Sequence, residues 1–156
     1  MRFERIRRGT ATAATPVGEL TVHRAAGPGG GEHWRLALDG RPLAELPGFG
    51  LGRRVLLPVV RRGAVGAFAG GELRVEASRH LLAARRYVEF RAAGRVVRVQ
   101  GRSRLDAHLV EGGRVLARAD RGWELAEPDP LRVLAVAVYR WARLGRYLDS
   151  PVDALL

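Results

Sequence analysis

The sequence predicts a mainly β fold, an antiparallel barrel or rolled sheet of about ten to twelve short strands with one hydrophobic C-terminal helix in or against the core. Three observations carry this expectation. Short segments of alternating polarity recur at roughly 8 to 12 residue spacing, and Asp-Gly or Gly-Gly pairs separate many of them. The only stretch long and apolar enough for a substantial helix is Asp129 to Leu148, DPLRVLAVAVYRWARLGRYL.

Phe3 to Arg8 reads as a first strand, followed by a weakly structured run through Thr15. In Gly18 to Arg24 the alternation puts Leu20 and Val22 on one face and Glu19, Thr21 and His23 on the other. Ala25 to Gly31 (AAGPGGG) breaks the pattern and reads as a flexible loop; no Lys and Ser/Thr follow it, so it is not a phosphate loop. His33 to Asp39 alternates again with Trp34, Leu36 and Leu38 inward, and Asp39-Gly40 signals a hairpin into Arg41 to Leu46. Pro47 to Gly52 is a turn that exposes Phe49. Arg53 to Val60 is an apolar strand whose Pro58 marks an edge or a bulge.

Gly63 to Ala69, a turn at Gly70-Gly71, and Leu73 to Ala77 form the next pair. Arg79 to Arg86 reads as a turn, although its leucines and alanines favour a helical turn. Arg86 to Ala92 and Arg95 to Gln100 flank Ala93-Gly94. Ser103 to Val110 turns Leu105, Ala107 and Leu109 inward, Gly112-Gly113 leads into Arg114 to Ala119, and a last strand covers Trp123 to Ala126.

The C-terminal helix, predicted over 129–148, starts with a capping aspartate, Asp129, and a proline at the first helical position. Val133 to Tyr139 carries no charge on any side, about two turns of helix, where a surface helix shows a polar face. The helix is therefore expected to be enclosed. Its uncharged run is well under half of the roughly 20 residues a bilayer span needs, so no transmembrane span is predicted.

The 156 residues fit a single domain, 1–156, large enough for a core without metal or disulfide. Cysteine is absent, which excludes thiolate nucleophiles and cysteine zinc sites. All 27 basic residues are arginine, a composition that GC-rich codon usage produces. It excludes Schiff-base and general-base lysines. The N-terminus has basic residues without an apolar h-region, which predicts a cytoplasmic protein, peripheral to the membrane at most. The net charge of +11 favours anionic partners.

Gly113 to Leu148, with a strand GRVLARAD, a turn, a strand GWELAE and then the helix DPLRVLAVAVYRW, resembles the tubby C-terminal-like superfamily. Tubby proteins, phospholipid scramblases and LURP-one-related proteins belong to it. The resemblance implies about twelve antiparallel strands around a hydrophobic C-terminal helix. The chain lacks any match to the phosphoinositide-contacting Lys-Arg positions of tubby, the Cys-rich palmitoylation segment and the acidic calcium run of scramblases. The resemblance thus implies the fold and no site residues.

No catalytic, metal or cofactor site is predicted. His23, His33, His80 and His108 lack the spacing of three or four zinc ligands; only Asp106 and His108 are close. Gly101 to Leu105 misses the last glycine of a serine-nucleophile elbow. Glu72, Glu76, Glu89 and Asp106 alternate with arginine, as cross-strand ion pairs do. The arginines remain, with a planar fork suited to phosphate. Arg53, Arg54, Arg61, Arg62, Arg85, Arg86, Arg98, Arg102, Arg104, Arg140 and Arg143 are the candidate anion-binding residues, against the alternative that they only solvate the surface. The leading expectation is a non-enzymatic binding module for an anionic surface, a lipid headgroup or an acidic protein. Nucleic-acid binding comes second, and a small-ligand enzyme third.

Overall fold

The computed structural model describes residues 1–27, 31–49, 60–78, 85–101 and 106–147, without the side chains of 146 and 147. Eleven antiparallel strands follow one another in a single sheet: β1 Arg2–Phe3, β2 Thr10–Thr15, β3 Gly18–Ala26, β4 Glu32–Leu38, β5 Arg41–Leu46, β6 Ala64–Phe68, β7 Gly71–Ser78, β8 Tyr87–Ala92, β9 Arg95–Gly101, β10 Ala107–Glu111 and β11 Arg114–Arg118. Each pairs with its neighbours in sequence. The helix α1, Pro130–Trp141, and a 3-10 segment, Leu144–Tyr147, complete the described elements.

The sheet is rolled and does not close into a barrel, since β1 and β11 are not paired. Its two ends are nevertheless bridged. The Met1 ammonium donates to the Gly122 carbonyl at 3.2 Å, Trp141 Nε1 donates to the Glu4 carbonyl at 3.1 Å, and Phe3 meets Trp141 edge to face at 5.8 Å. The free edge of β11 is partly covered too: the amides of Trp123 and Ala126 donate to the carbonyls of Arg118 and Leu116. These two bonds replace the strand predicted over Trp123 to Ala126, because Trp123 takes a left-handed backbone (φ 60°) that bends the chain out of the ladder.

One face of the roll is the core. Leu20, Val22, Trp34, Leu36, Leu73, Val75, Val88, Phe90, Val97, Val99 and Leu109 occupy alternate positions and are almost fully buried. β2 is the strand that the sequence hides, since its buried residues are only Ala11 and Ala13, too small to give a strong hydrophobic alternation. The run through Thr15 is thus a strand, while the predicted Phe3 to Arg8 strand shrinks to Arg2–Phe3 and an isolated bridge, Arg7 to Thr10. Ala25 and Ala26 extend β3, so the predicted 25–31 loop is shorter; 28–30 lie outside the described residues. Phe49, expected to be exposed, is completely buried against Trp34, ring centroids 5.2 Å apart. Residues 53–59 of the predicted Arg53 to Val60 strand and most of the Arg79 to Arg86 turn fall outside the described residues, while Val60, the last residue of that strand, is buried and helical together with Arg61 and Arg62.

The hairpins turn where positive φ is required. Arg8-Gly9, Asp39-Gly40, Ala69-Gly70, Ala93-Gly94 and Gly112-Gly113 each have two successive residues with φ between 48° and 82°, as type I′ turns demand. The first of the Gly70-Gly71 pair is therefore the second turn residue, and Gly71 already belongs to β7. Gly66 has a different task. A Cβ there would overlap the carbonyl oxygen of Glu45, so β5 and β6 can approach only over a glycine. Gly66→Ala is expected to destabilise the fold by about 2 kcal/mol or more, read as a lower denaturant midpoint with an unchanged m-value.

Helix α1 lies in the roll. Leu131, Val133 to Tyr139 and Trp141 are all buried, so its faces meet protein on every side. Enclosure explains the missing polar face. The helix is shorter than the predicted 129–148: Ala142 caps it, its amide donating to the Val138 carbonyl at 2.9 Å, and Arg143 then adopts φ 54°. That left-handed residue breaks the ladder, and a 3-10 turn follows.

Strand alternation gives the roll two distinct rims. The connections β2–β3, β4–β5, β6–β7, β8–β9 and β10–β11 leave at one rim, beside the start of α1; those of β1–β2, β3–β4, β5–β6, β7–β8 and β9–β10 leave at the other. We call these the near rim and the far rim.

Candidate functional site

At the near rim the charges neutralise each other. Asp129, the N-cap of α1, accepts from the amides of Leu131 and Arg132 at 2.9 and 3.1 Å. Arg95, at the first position of β9, grips Glu111 with Nε and Nη2 at 2.7 and 2.9 Å and reaches Asp129 Oδ2 at 2.8 Å. Arg132 adds Nε to Glu111 Oε2 at 2.7 Å, and Glu127 takes Arg114 at 2.8 Å and Arg132 at 3.2 Å. Three arginines and three carboxylates thus fasten the helix start to β9, β10 and β11. Hydrogen bonds from Arg95 hold the Glu111 carboxyl below the usual range against the opposing effect of its burial. Burial pushes Asp129 up, but Arg95 and the Arg132 amide outweigh it and the net shift is downward. This cluster is structural and offers no free cation.

A second set of charges is spent on the outer face of the sheet. Glu89 of β8 is 1 % exposed although it points away from the core, because Arg91 and Arg98 close over it, each through Nε. Arg98 also lies over the Tyr87 ring, 4.8 Å from its centroid. The candidate Arg98 is therefore committed to Glu89 and Tyr87.

Arg24 turns inward from β3 and stacks on Trp34, 5.5 Å from the ring centroid and 3.6 Å from Glu32. Desolvation lowers its pKa, and Glu32 offsets part of that.

The remaining described candidates are placed by topology. Arg61, Arg62 and Arg85 are exposed and Arg86 is buried, all in connections of the far rim. Arg53, Arg54, Arg102 and Arg104 lie outside the described residues. Arg140 and Arg143 are exposed where α1 ends, away from the near rim; Arg140 lies 5.8 Å over the Phe3 ring. Sequence reading missed the exposed Arg5, Arg7 and Arg8, which lead into β2 from the far rim. A count by alternate connections would have found them.

That count separates the rims. Among the described residues Arg5, Arg7, Arg8, Arg61, Arg62, Arg85 and Arg86, seven arginines, fall in the far-rim connections with two carboxylates, Glu4 and Asp106, and the turn after β11 adds Arg121 and Asp120 at the same rim. The near-rim turns hold no arginine and one carboxylate, Asp39. Among the described residues no group of three or more histidine, aspartate or glutamate side chains is arranged to hold a metal ion. His23 lies 3.2 Å from the Thr10 hydroxyl, and His33 lies 3.3 Å from Glu45. No helix among the described residues is long and apolar enough to cross a membrane. Comparison with protein-family models, curated proteins and solved structures finds no match to this chain.

Proposed function

We propose that this protein is a non-enzymatic binding module for an anionic partner. One observation carries the reading. Glu111, Asp129 and Glu127 at the near rim and Glu89 on the outer sheet face are engaged by arginine, whereas Arg5, Arg7, Arg8, Arg61 and Arg85 are exposed and make no salt bridge. Part of the +11 charge is thus presented as uncompensated guanidinium groups, which attract phosphate and carboxylate surfaces. We also propose kinship with the tubby C-terminal-like superfamily, which an eleven-strand roll around an apolar helix supports.

The test is retention on immobilised heparin across a salt gradient. Elution well above physiological salt is expected, because several arginines engage together and screening weakens them together. Passage through the column at low salt would sink the reading. Nucleic acid is the second reading, favoured by the all-arginine basic set; random-sequence duplexes would then bind with a steep dependence of log affinity on log salt.

A further inference from the structure

We infer that Arg24, Glu32 and Trp34 form a binding site for a small carboxylate with an adjacent hydrogen-bond donor, an α-hydroxy or α-amino acid. This site is separate from the exposed arginines of the proposed function. Arg24 and Trp34 are cross-strand partners on β3 and β4, and both lie on the core-facing side, as does Glu32 two residues before the tryptophan. The Arg24 side chain is only 14 % exposed, yet among the described residues it makes no hydrogen bond: Nε is completely enclosed without an acceptor, and Glu32 stands 3.6 Å from Nη1, beyond hydrogen-bond range.

Arg132 shows how a structural arginine is treated in this fold. Equally exposed at 14 %, it donates to both Glu111 and Glu127 and pairs with Asp129. Stacking on Trp34 offsets part of the hydration that Arg24 loses, but it satisfies none of its N–H donors. A desolvated cation held in that state is completed by an acceptor that arrives from outside. Nη1 and Nη2 present the paired donors that a carboxylate takes in its own plane. Glu32 narrows the class of ligand. Its Oε2 accepts from the Trp34 indole N–H at 3.0 Å, while Oε1 accepts nothing from the described residues and is left for a donor on the ligand. With one cation and one anion the site has no net charge, so Glu32 repels a dianionic phosphate, whereas a monocarboxylate with its own hydroxyl or ammonium is matched on both sides. Phe49, completely buried and edge-on to Trp34 at 5.2 Å, holds the indole floor in place before any ligand binds.

Heteronuclear NMR of the nitrogen-labelled protein reads the site directly. The Arg24 Nε–H, shielded from exchange by its enclosure, and the Trp34 indole N–H are followed during titration with glycolate, glycine, acetate and inorganic phosphate. Saturable shifts of both signals with glycolate and glycine are expected, at affinities about tenfold above that of acetate and with phosphate weaker still, while the indole signals of Trp123 and Trp141 stay in place. Arg24→Met keeps an apolar chain over the indole but removes the donors. It should abolish the Trp34 shift and melt no lower than the parent, because the cation it removes makes no hydrogen bond. Glu32→Gln removes the like charge and should raise the affinity for phosphate by about tenfold.

No saturable shift with any of the four probes would overturn the site, as would an undiminished Trp34 shift in Arg24→Met. Phosphate binding more tightly than glycolate and glycine would overturn the carboxylate class. Arg24→Met should leave elution from heparin unchanged, since Arg24 is mostly buried. Retention on heparin without these shifts therefore removes this site and leaves the proposed function, and the reverse result removes the proposed function alone.

Discussion

Leu134→Ala is expected to cost about 3 kcal/mol, a large part of the roughly 5 to 15 kcal/mol that holds a domain together. Leu134 is fully buried in the middle of α1, and its neighbours Val133, Ala135 and Val136 are equally enclosed. The loss combines the transfer free energy of the removed methyl groups with a cavity that a helix gripped on every side cannot collapse to fill. Equilibrium urea unfolding, followed by far-ultraviolet circular dichroism, measures it. A cost below about 1 kcal/mol would show that the helix is not gripped as described. By contrast, Arg140→Ala with Arg143→Ala, both at exposed positions, should change stability by less than about 1 kcal/mol.

The second large effect is acid sensitivity. Glu111 and Asp129 have folded pKa values below their unfolded ones, so they contribute stability that is fully present above the unfolded values, near 4, and is lost as pH falls through the folded values. Melting temperature should hold between neutrality and about pH 5 and then fall with acidification. Glu111→Gln should lower stability at neutral pH by about 2 kcal/mol, because Arg95 and Arg132 lose a charged partner, and should flatten the acid limb. An acid limb identical to the parent's would show that the cluster at the helix start does not govern it.

Where side chains are large, the strand pattern was legible in the sequence. Trp34 and Leu36, Leu73 and Val75, and Val88 and Phe90 alternate cleanly, and each pair is buried as the period of two requires. The helix start was legible for a local reason, since an N-cap aspartate followed by proline needs no tertiary information. What escaped depends on long-range packing. Ala11 and Ala13 become core only because β3 pairs beside them, through Val22 and Leu20. Phe49 becomes core only because Trp34 awaits it.

The candidate site divides the same way. Arginine runs such as Arg61-Arg62 and Arg85-Arg86 are visible in one dimension, but their common rim follows only once the strands are known to alternate without a crossover. Commitment to a partner is equally invisible. Arg98 reads like any other strand arginine until Glu89 and Tyr87 are found beside it.

The meander order has a consequence for how the chain is made. Every strand pairs with the one synthesised just before it, so hairpins can form in succession as the polypeptide leaves the ribosome, without the long loop closures that slow most β proteins. The element that fills the roll nevertheless emerges only after all eleven strands. Until it arrives, the apolar face led by Leu20, Val22 and Phe90 has nothing to cover it. A nascent chain paused before Pro130 therefore exposes an unfilled apolar sheet, the kind of surface that makes incomplete β structures prone to aggregate.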